Sequence, residues 1–336
     1  MDNRDFRAIV AGGGSSHNLF DKIISLPNLF HAWREFKRGK MNKSDVQNFA
    51  LNLEDNLFDL HTDLQSGNYR HSPYTDFFVR DPKLRHIFKA TVRDRVLHQA
   101  VVSALEPIFD NGFIANSYSS RLGKGTHRAI SCLRKKAWRL SKNNTRTVWI
   151  LHGDIRRYFD SVDHEILLRL IERKVGDTNV LNLLTEIIGS YSTAPGKGIP
   201  LGNVTSQLFS NIYLDEFDQF ITRHLGIQDY IRYADDFVVI SRSQIFLESM
   251  ITLTRNFLSE KLKLVLHPDK IVLRRWHSGV DFLGYVLFPH HNILRTKTKW
   301  RMFNRINSKN FISYSGMLRH CRSARLRADL LRTVDL

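Results

Sequence analysis

Two adjacent aspartates interrupt an apolar run, Ile231-Arg232-Tyr233-Ala234-Asp235-Asp236-Phe237-Val238-Val239-Ile240. β-branched and aromatic residues favour extended, buried backbone, and Ala-Asp-Asp between them supplies a turn. The run therefore predicts a hairpin with both carboxylates at its tip. Like charges held side by side repel, so something must compensate them. A divalent cation does so naturally, because Mg²⁺ takes hard carboxylate oxygens together with substrate phosphates. A turn with two solvated aspartates satisfies the same residues, and the run alone does not separate these readings.

A second apolar segment shifts the balance. Residues 147–151 are β-branched and apolar and read as a central strand ending at Asp154, in Trp149-Ile150-Leu151-His152-Gly153-Asp154-Ile155. If this strand lies beside the hairpin in one sheet, Asp154 meets Asp235. Three carboxylates can then hold two Mg²⁺ ions about 3.5–4 Å apart, the arrangement of two-metal phosphoryl chemistry. An aspartate ending a strand is by itself often a helix cap.

Charge points the same way. The 336 residues carry 50 Lys plus Arg against 33 Asp plus Glu, a net charge of +17. Such a surplus favours a polyanionic partner through counterion release, and nucleic acid is favoured over an acidic membrane surface. Only Cys132 and Cys321 are present, far apart and without metal-type spacing, which argues against a disulfide framework or a zinc site and fits a reducing cytoplasm. The apolar run Ala8-Ile9-Val10-Ala11 is too short for a signal peptide, and no stretch approaches the roughly 18 apolar residues of a membrane span. The expectation is a cytoplasmic protein without a membrane partner.

Along the chain, residues 1–20 read as a Gly/Ser-rich lead-in and residues 26–64 as helical, with Leu51, Leu53, Leu57, Leu60 and Leu64 near helical spacing. Gly67-Asn68-Tyr69 breaks that pattern. Residues 74–80 and 84–88 read as strands around a turn at Asp81-Pro82-Lys83. Val92, Val96, Ala100, Ala104 and Ile108, backed by Leu97, Val101 and Leu105, predict a buried helix. Further helices are expected over 126–140, after Asp163, over 205–224 and over 245–262. Strands are expected near 271–273 and 280–288, and His290-His291 falls in a turn. From 291 onward the chain is strongly basic, with Trp300, Phe303, Phe311 and Tyr314 interleaved among cations such as Arg295, Lys299, Lys309 and Arg327. The element order predicts an α+β fold.

Several motifs together resemble reverse transcriptases. Tyr233-Ala234-Asp235-Asp236 looks like their catalytic hairpin, and Asp154-Ile155-Arg156-Arg157-Tyr158-Phe159-Asp160 is similar to their first catalytic motif. Gly198-Ile199-Pro200-Leu201-Gly202 looks like the start of the palm-helix motif, and Phe282-Leu283-Gly284-Tyr285 like the primer-gripping hairpin. The motifs come in the family's order, over about residues 68–290. Leu201-Gly202-Asn203-Val204-Thr205-Ser206-Gln207 resembles the form found in diversity-generating retroelements, whose enzymes copy a template-repeat RNA with errors at adenines in mutagenic retrohoming. Group II intron-derived, retron and phage-defence reverse transcriptases are the near alternatives. An inactive RNA-binding protein on a polymerase scaffold is the distant one, and intact Asp154, Asp235 and Asp236 argue against it.

The resemblance implies a right-hand polymerase architecture: a lead-in (1–20), fingers with part of the palm (21–145), a palm with the catalytic aspartates and primer grip (146–290) and a short helical thumb (291–336). It implies an RNA-directed DNA polymerase using template RNA, a cDNA primer, dNTPs and two Mg²⁺ ions, for which Mn²⁺ can substitute, with a small basic accessory protein. Asp154, Asp235, Asp236 and Ile155 become the metal set. Lys270 becomes a candidate acid for the leaving pyrophosphate, although an ordinary surface lysine is equally expected there. Arg85 matches the arginine on the incoming triphosphate, Lys83, Lys89, Arg93 and Arg95 being weaker candidates. Phe159 matches the steric gate against a 2′-hydroxyl, with a core phenylalanine as the alternative. Ile155, Leu201, Gly202 and Gln207 complete the substrate set, Gln207 and Asn211 being expected to face the template or nucleotide, with a structural role as the equal alternative. Leu201 stands where many relatives carry a glutamine, a change expected to loosen base-pair selection.

Overall fold

The computed structural model describes residues 19–80, 84–307 and 310–334. The chain forms two compact units. One holds the described residues up to Phe113 with Arg157–Glu216 and Leu262–Leu264, and the other holds Ile114–Arg156, Phe217–Lys261 and the described residues from Val265 on.

The first unit is built on the Val92–Asp110 helix. Thr91 caps it, its hydroxyl accepting from the Asp94 amide at 3.3 Å. The expected stripe is realised: Val92, Val96, Leu97, Ala100, Val101, Ala104 and Leu105 are buried, and Ile108 is partly covered. Each fully buried Val or Leu in such a stripe contributes about 1.5–3 kcal/mol. The stretch expected to be one helical pattern over 26–64 is instead three helices, Leu26–Phe36, Ser44–Leu51 and Leu53–Gln65. Gly39, at φ +67°, and Asn52, at φ −118° and ψ 45°, take backbone angles no helix can hold. Leu51 therefore ends its helix 81% exposed, and the buried leucines are Leu57, Leu60 and Leu64.

Strands β1 (Thr75–Arg80) and β2 (Leu84–Lys89) form the expected antiparallel hairpin. Its turn, with Lys83, lies outside the described residues. The hairpin's base is tied to a loop: the Phe88 amide donates to the Leu201 carbonyl and Asn203 Nδ2 donates to the Phe88 carbonyl, both at 3.2 Å. The predicted helix after Asp163 runs over His164–Glu172, with Asp163 accepting from the Ile166 amide at 3.1 Å as its cap.

The second unit holds a four-stranded sheet of β3 (Trp149–Gly153), β4 (Tyr230–Tyr233), β5 (Asp236–Ser241) and β6 (Val272–Arg275). The order is β4-β5-β3-β6 and every ladder is antiparallel. The interior place expected for β3 is thus observed. The Thr126–Leu140 helix buries Ala129, Ile130, Leu133 and Ala137 in one core with Ile150, Ile231, Val238 and Ile240. That core continues into a three-stranded sheet of β7 (Val280–Phe282), β8 (Tyr285–Leu287) and β9 (Asn292–Leu294).

The hairpin implied at Phe282-Leu283-Gly284-Tyr285 is observed, β7 and β8 being folded at Leu283 and Gly284, both at positive φ (+50° and +89°). One expectation is corrected here. The tail from 291 opens with β9 before its helices Thr296–Arg305, Phe311–Leu318 and Ala324–Val334. Phe303, Phe311 and Tyr314 pack against the core, whereas Trp300 is 67% exposed. His290 is exposed, as a turn residue should be, but His291 stacks on Phe288 with ring centroids 4.9 Å apart. Both cysteines are free thiols, and no helix among the described residues is long and apolar enough to cross a membrane.

Candidate active site

The register of β3 on β5 sets the geometry. Gly153 lies opposite Phe237, so the next residue, Asp154, arrives beside Asp236 at the hairpin tip. Gly153 is required by space: a Cβ there would stand 2.4 Å from the Phe237 ring. The turn itself is Ala234-Asp235, with Ala234 at φ +53°, and Asp236 opens β5. Asp235 is half-buried, and its carboxyl is pushed up to about 6 by burial, then by the charges of Asp236 and Asp154, against the pull of Lys270. The three carboxylates thus lie within electrostatic reach of one another.

Two neighbours modulate that charge. Lys270 Nζ donates to Asp154 Oδ1 at 2.7 Å. Its short helical turn is anchored by the same aspartate, whose carbonyl accepts from the His267 amide at 2.8 Å. His152 Nε2 lies 3.3 Å from Asp236 Oδ1. The sequence reading passed over His152, although its place two residues before Asp154 on the same strand puts both side chains on one face.

Beneath the turn lies a buried ion pair that the sequence reading also missed. Arg232 donates through Nε to Asp218 Oδ1 at 2.8 Å and through Nη2 to Asp218 Oδ2 at 2.7 Å, and both side chains are essentially inaccessible. Tyr230 Oη donates to the same carboxylate at 2.7 Å. Arg232 Nη1 then donates to the Ala234 carbonyl at 3.1 Å, holding the strained turn from below. A buried guanidinium–carboxylate fork constrains orientation as well as distance. Only the arginine between apolar residues hinted at it, since Asp218 is distant in sequence.

Among the described residues, no three His, Cys, Asp or Glu side chains already form a metal cage. The donor chemistry nevertheless fits a hard divalent cation. The acids are oxygen donors, burial and then their mutual repulsion raise Asp235, and an ammonium group already sits on Asp154.

The nucleotide-side candidates fall in the first unit. Phe159 is partly exposed and its carbonyl accepts from the Ile199 amide at 2.8 Å. Two residues on, Leu201 and Gly202 meet the base of the β1–β2 hairpin that carries Arg85. Gly202 has φ +118°, and a Cβ there would stand 2.9 Å from Ile87 Cγ2, so both backbone and space call for glycine. Arg85 and Gln207 are exposed, whereas Asn211 is buried in the Val204–Gln219 helix. Ile155 is the exception, lying in the second unit, where it is buried and forms an isolated bridge with Leu266.

The family model described as reverse transcriptase (RNA-dependent DNA polymerase) matches residues 80–287, which contain every one of these candidates. The chain belongs to the reverse transcriptase family. This reverse transcriptase is 28% identical over 281 residues to Protein YkfC of Escherichia coli, covering 72% of each chain. It is 27% identical over 172 residues to the group II intron-encoded protein LtrA of Lactococcus lactis, covering 47% of this chain and 27% of LtrA. In fold it is similar to Candida albicans telomerase, with a TM-score of 0.52 at 12% identity, covering 68% of this chain and 46% of that one. The chain thus spans under half of that telomerase and about a quarter of LtrA. The fold is the mixed helix-and-sheet polymerase fold with antiparallel sheets.

Proposed function

We propose that this reverse transcriptase copies a template RNA into cDNA within a diversity-generating retroelement, with frequent errors at adenines. The observation that carries the polymerase reading is the β3–β5 register, in which Gly153 opposite Phe237 brings Asp154 beside Asp236. Residues 21–145 act as fingers with part of the palm, 146–290 as palm and 291–336 as thumb, ranges that the two compact units cross. Asp154, Asp235 and Asp236, with Ile155, would hold two Mg²⁺ or Mn²⁺ ions. When bound, such ions acidify the primer 3′-hydroxyl and neutralise charge on the triphosphate.

The chain's own residues do the rest. Arg85 forks onto phosphate oxygens of the incoming dNTP. Phe159 excludes a 2′-hydroxyl, and Gly202 and Gln207 border the nucleotide. Lys270, released from Asp154, gives its proton to the pyrophosphate. A small basic accessory protein adds contacts to the RNA, and the work is done in the cytoplasm.

Primer extension tests the core of this reading: Asp235→Ala should reduce incorporation on the order of 1,000-fold, and equal activity would end it. The subtype is suggested by Thr205-Ser206-Gln207, and its errors are assigned to Leu201, an aliphatic contact that discriminates between base pairs by only about 1–3 kcal/mol. Misincorporation opposite template adenine should be frequent in the wild type and fall in Leu201→Gln. A second reading, a group II intron-derived enzyme, is favoured by the likeness to LtrA. Accurate copying of adenines, with an intron RNA co-purifying, would select it.

A further inference from the structure

Away from the catalytic turn, the second unit carries an open groove of about 420 Å³ between the Thr126–Leu140 helix, the segment preceding β9 and His320. Its lining contains cations and rings and not one carboxylate. On the helix, His127, Arg134, Lys135 and Trp138 fall at spacings of seven, one and three, a stripe along one face. At about 1.5 Å per residue the stripe runs about 17 Å. Cations on the other flank of the helix are already engaged, since Lys136 and Arg139 both pair with Asp229. Lys135 makes no ion pair among the described residues, and Arg134 makes one long hydrogen bond, 3.4 Å, to the Pro289 carbonyl.

The rings are disposed for stacking. His127 and His320 lie face to face with centroids 3.5 Å apart, and His127 meets Tyr285 edge-on at 6.2 Å. Burial and the neighbouring His320 hold His127 below the ordinary histidine range, which favours its neutral ring, and the stacked pair presents a flat platform. Trp138, at the far end, is 52% exposed, an unusual exposure for so large a ring on a packed helix. Between them, Asn292 is nine-tenths buried, and its side-chain oxygen has no hydrogen-bond partner among the described residues. An acceptor left unpaired beside a groove is matched by a base amino group or a sugar hydroxyl. The near end connects to the catalytic hairpin, because Thr126 Oγ1 donates to Tyr233 Oη at 3.2 Å.

We propose that this groove binds a single strand of RNA, with His127, His320 and Trp138 stacking on bases while Arg134 and Lys135 hold phosphates. Aromatic faces interleaved with cations are how single strands are held without sequence readout. Charge decides against a basic protein in the same place, since it would meet the unpaired Lys135 and Arg134. The inference rests on the proposed RNA-copying function only for the choice of RNA over other polyanions.

Binding of a labelled unstructured RNA oligonucleotide, followed by anisotropy across a salt series, tests it. Trp138→Ala should weaken binding about tenfold, and Lys135→Gln should reduce the slope of log affinity against log salt by about 0.7. Both positions are exposed, so melting temperatures should not move. Unchanged affinity and slope in both variants would overturn the proposal. So would a loss confined to single-stranded DNA of the same sequence, or variants that keep RNA affinity and lose only a captured protein. Extension of a saturating preannealed primer-template should remain at the wild-type rate in both variants. A wild type that binds RNA in the groove yet extends nothing would sink the polymerase reading and leave the groove standing.

Discussion

The β4–β5 hairpin is buried along almost its whole length, whereas the β1–β2 hairpin exposes every residue of its first strand, including Phe77 and Phe78. Both are antiparallel hairpins with charged residues near their tips, but they hold charge differently. The buried hairpin carries carboxylates that repel one another, and it is held from below by the Arg232–Asp218 fork, from beside by β3 and from the flank by Lys270. The exposed hairpin carries Arg85 in water and is fixed at its base by two backbone-linked hydrogen bonds. Acids that must converge need a rigid frame that resists their repulsion. A long cation reaching for a mobile phosphate needs only a firm root.

The strongest way to break this contrast is to remove the frame. Arg232→Ala leaves Asp218 buried without a counter-charge and should cost about 3–5 kcal/mol, read as a large fall in melting temperature with loss of extension. The double variant Arg232→Met with Asp218→Leu should recover much of the stability without restoring activity, because nothing then holds the Ala234 carbonyl. Recovery of activity as well would mean that the fork does not position the turn.

A smaller effect is expected at the β3–β5 crossing. Gly153→Ala drives a methyl into the Phe237 ring and should destabilise by about 1–3 kcal/mol. Combining it with Phe237→Leu should return part of that loss in a thermal melt, and no rescue would place the strain elsewhere.

At the exposed hairpin, Arg85→Ala should raise the KM for dNTP about tenfold, the loss of a charge-assisted phosphate contact, and leave the melting temperature unchanged. A matching fall in stability would erase the distinction between the two hairpins.

The smallest effect sharpens the account of repulsion. The Asp235 carboxyl, ordinarily near 3.8, stands at about 6 in the fold. Folding therefore favours its protonated form, so ionisation costs stability fully above pH 6 and not at all below about 3.8. In metal-free buffer at neutral pH, Asp235→Asn should raise the melting temperature by about 2–4 °C, with the gain disappearing on acidification through that window. Added Mg²⁺ should reverse the order by stabilising the wild type selectively. A variant that melts lower than the wild type at neutral pH without metal would refute the cost of holding that charge buried beside Asp236 and Asp154.

Much of this was legible in one dimension. The alternation and β-branching of residues 147–151 and 231–240 marked two strands, and the four-residue recurrence from Val92 marked the central helix of the first unit. Where reading failed, a local cue was outvoted by distant packing. Leu51 was grouped with Leu57 and Leu60 as near helical spacing, yet it lies six and nine residues from them, off their face, and ends its own helix before Asn52 exposed to solvent. The hairpin at Phe282-Leu283-Gly284-Tyr285 was legible, but not that Leu283, a residue that ordinarily avoids positive φ, adopts it beside Gly284. His152 was visible at its spacing from Asp154, but its neighbour Asp236 comes from another strand.

Composition and local pattern by themselves determined a basic α+β chain with acids at strand ends, because helix and strand periodicities and turn chemistry act over a few residues. Only the tertiary structure decided that Gly153 meets Phe237, that Asp218 anchors Arg232 and that buried Asn292 lines a cationic groove. Those facts depend on contacts between segments far apart in sequence, whose register is set by burial of the whole core and leaves no mark at either residue alone.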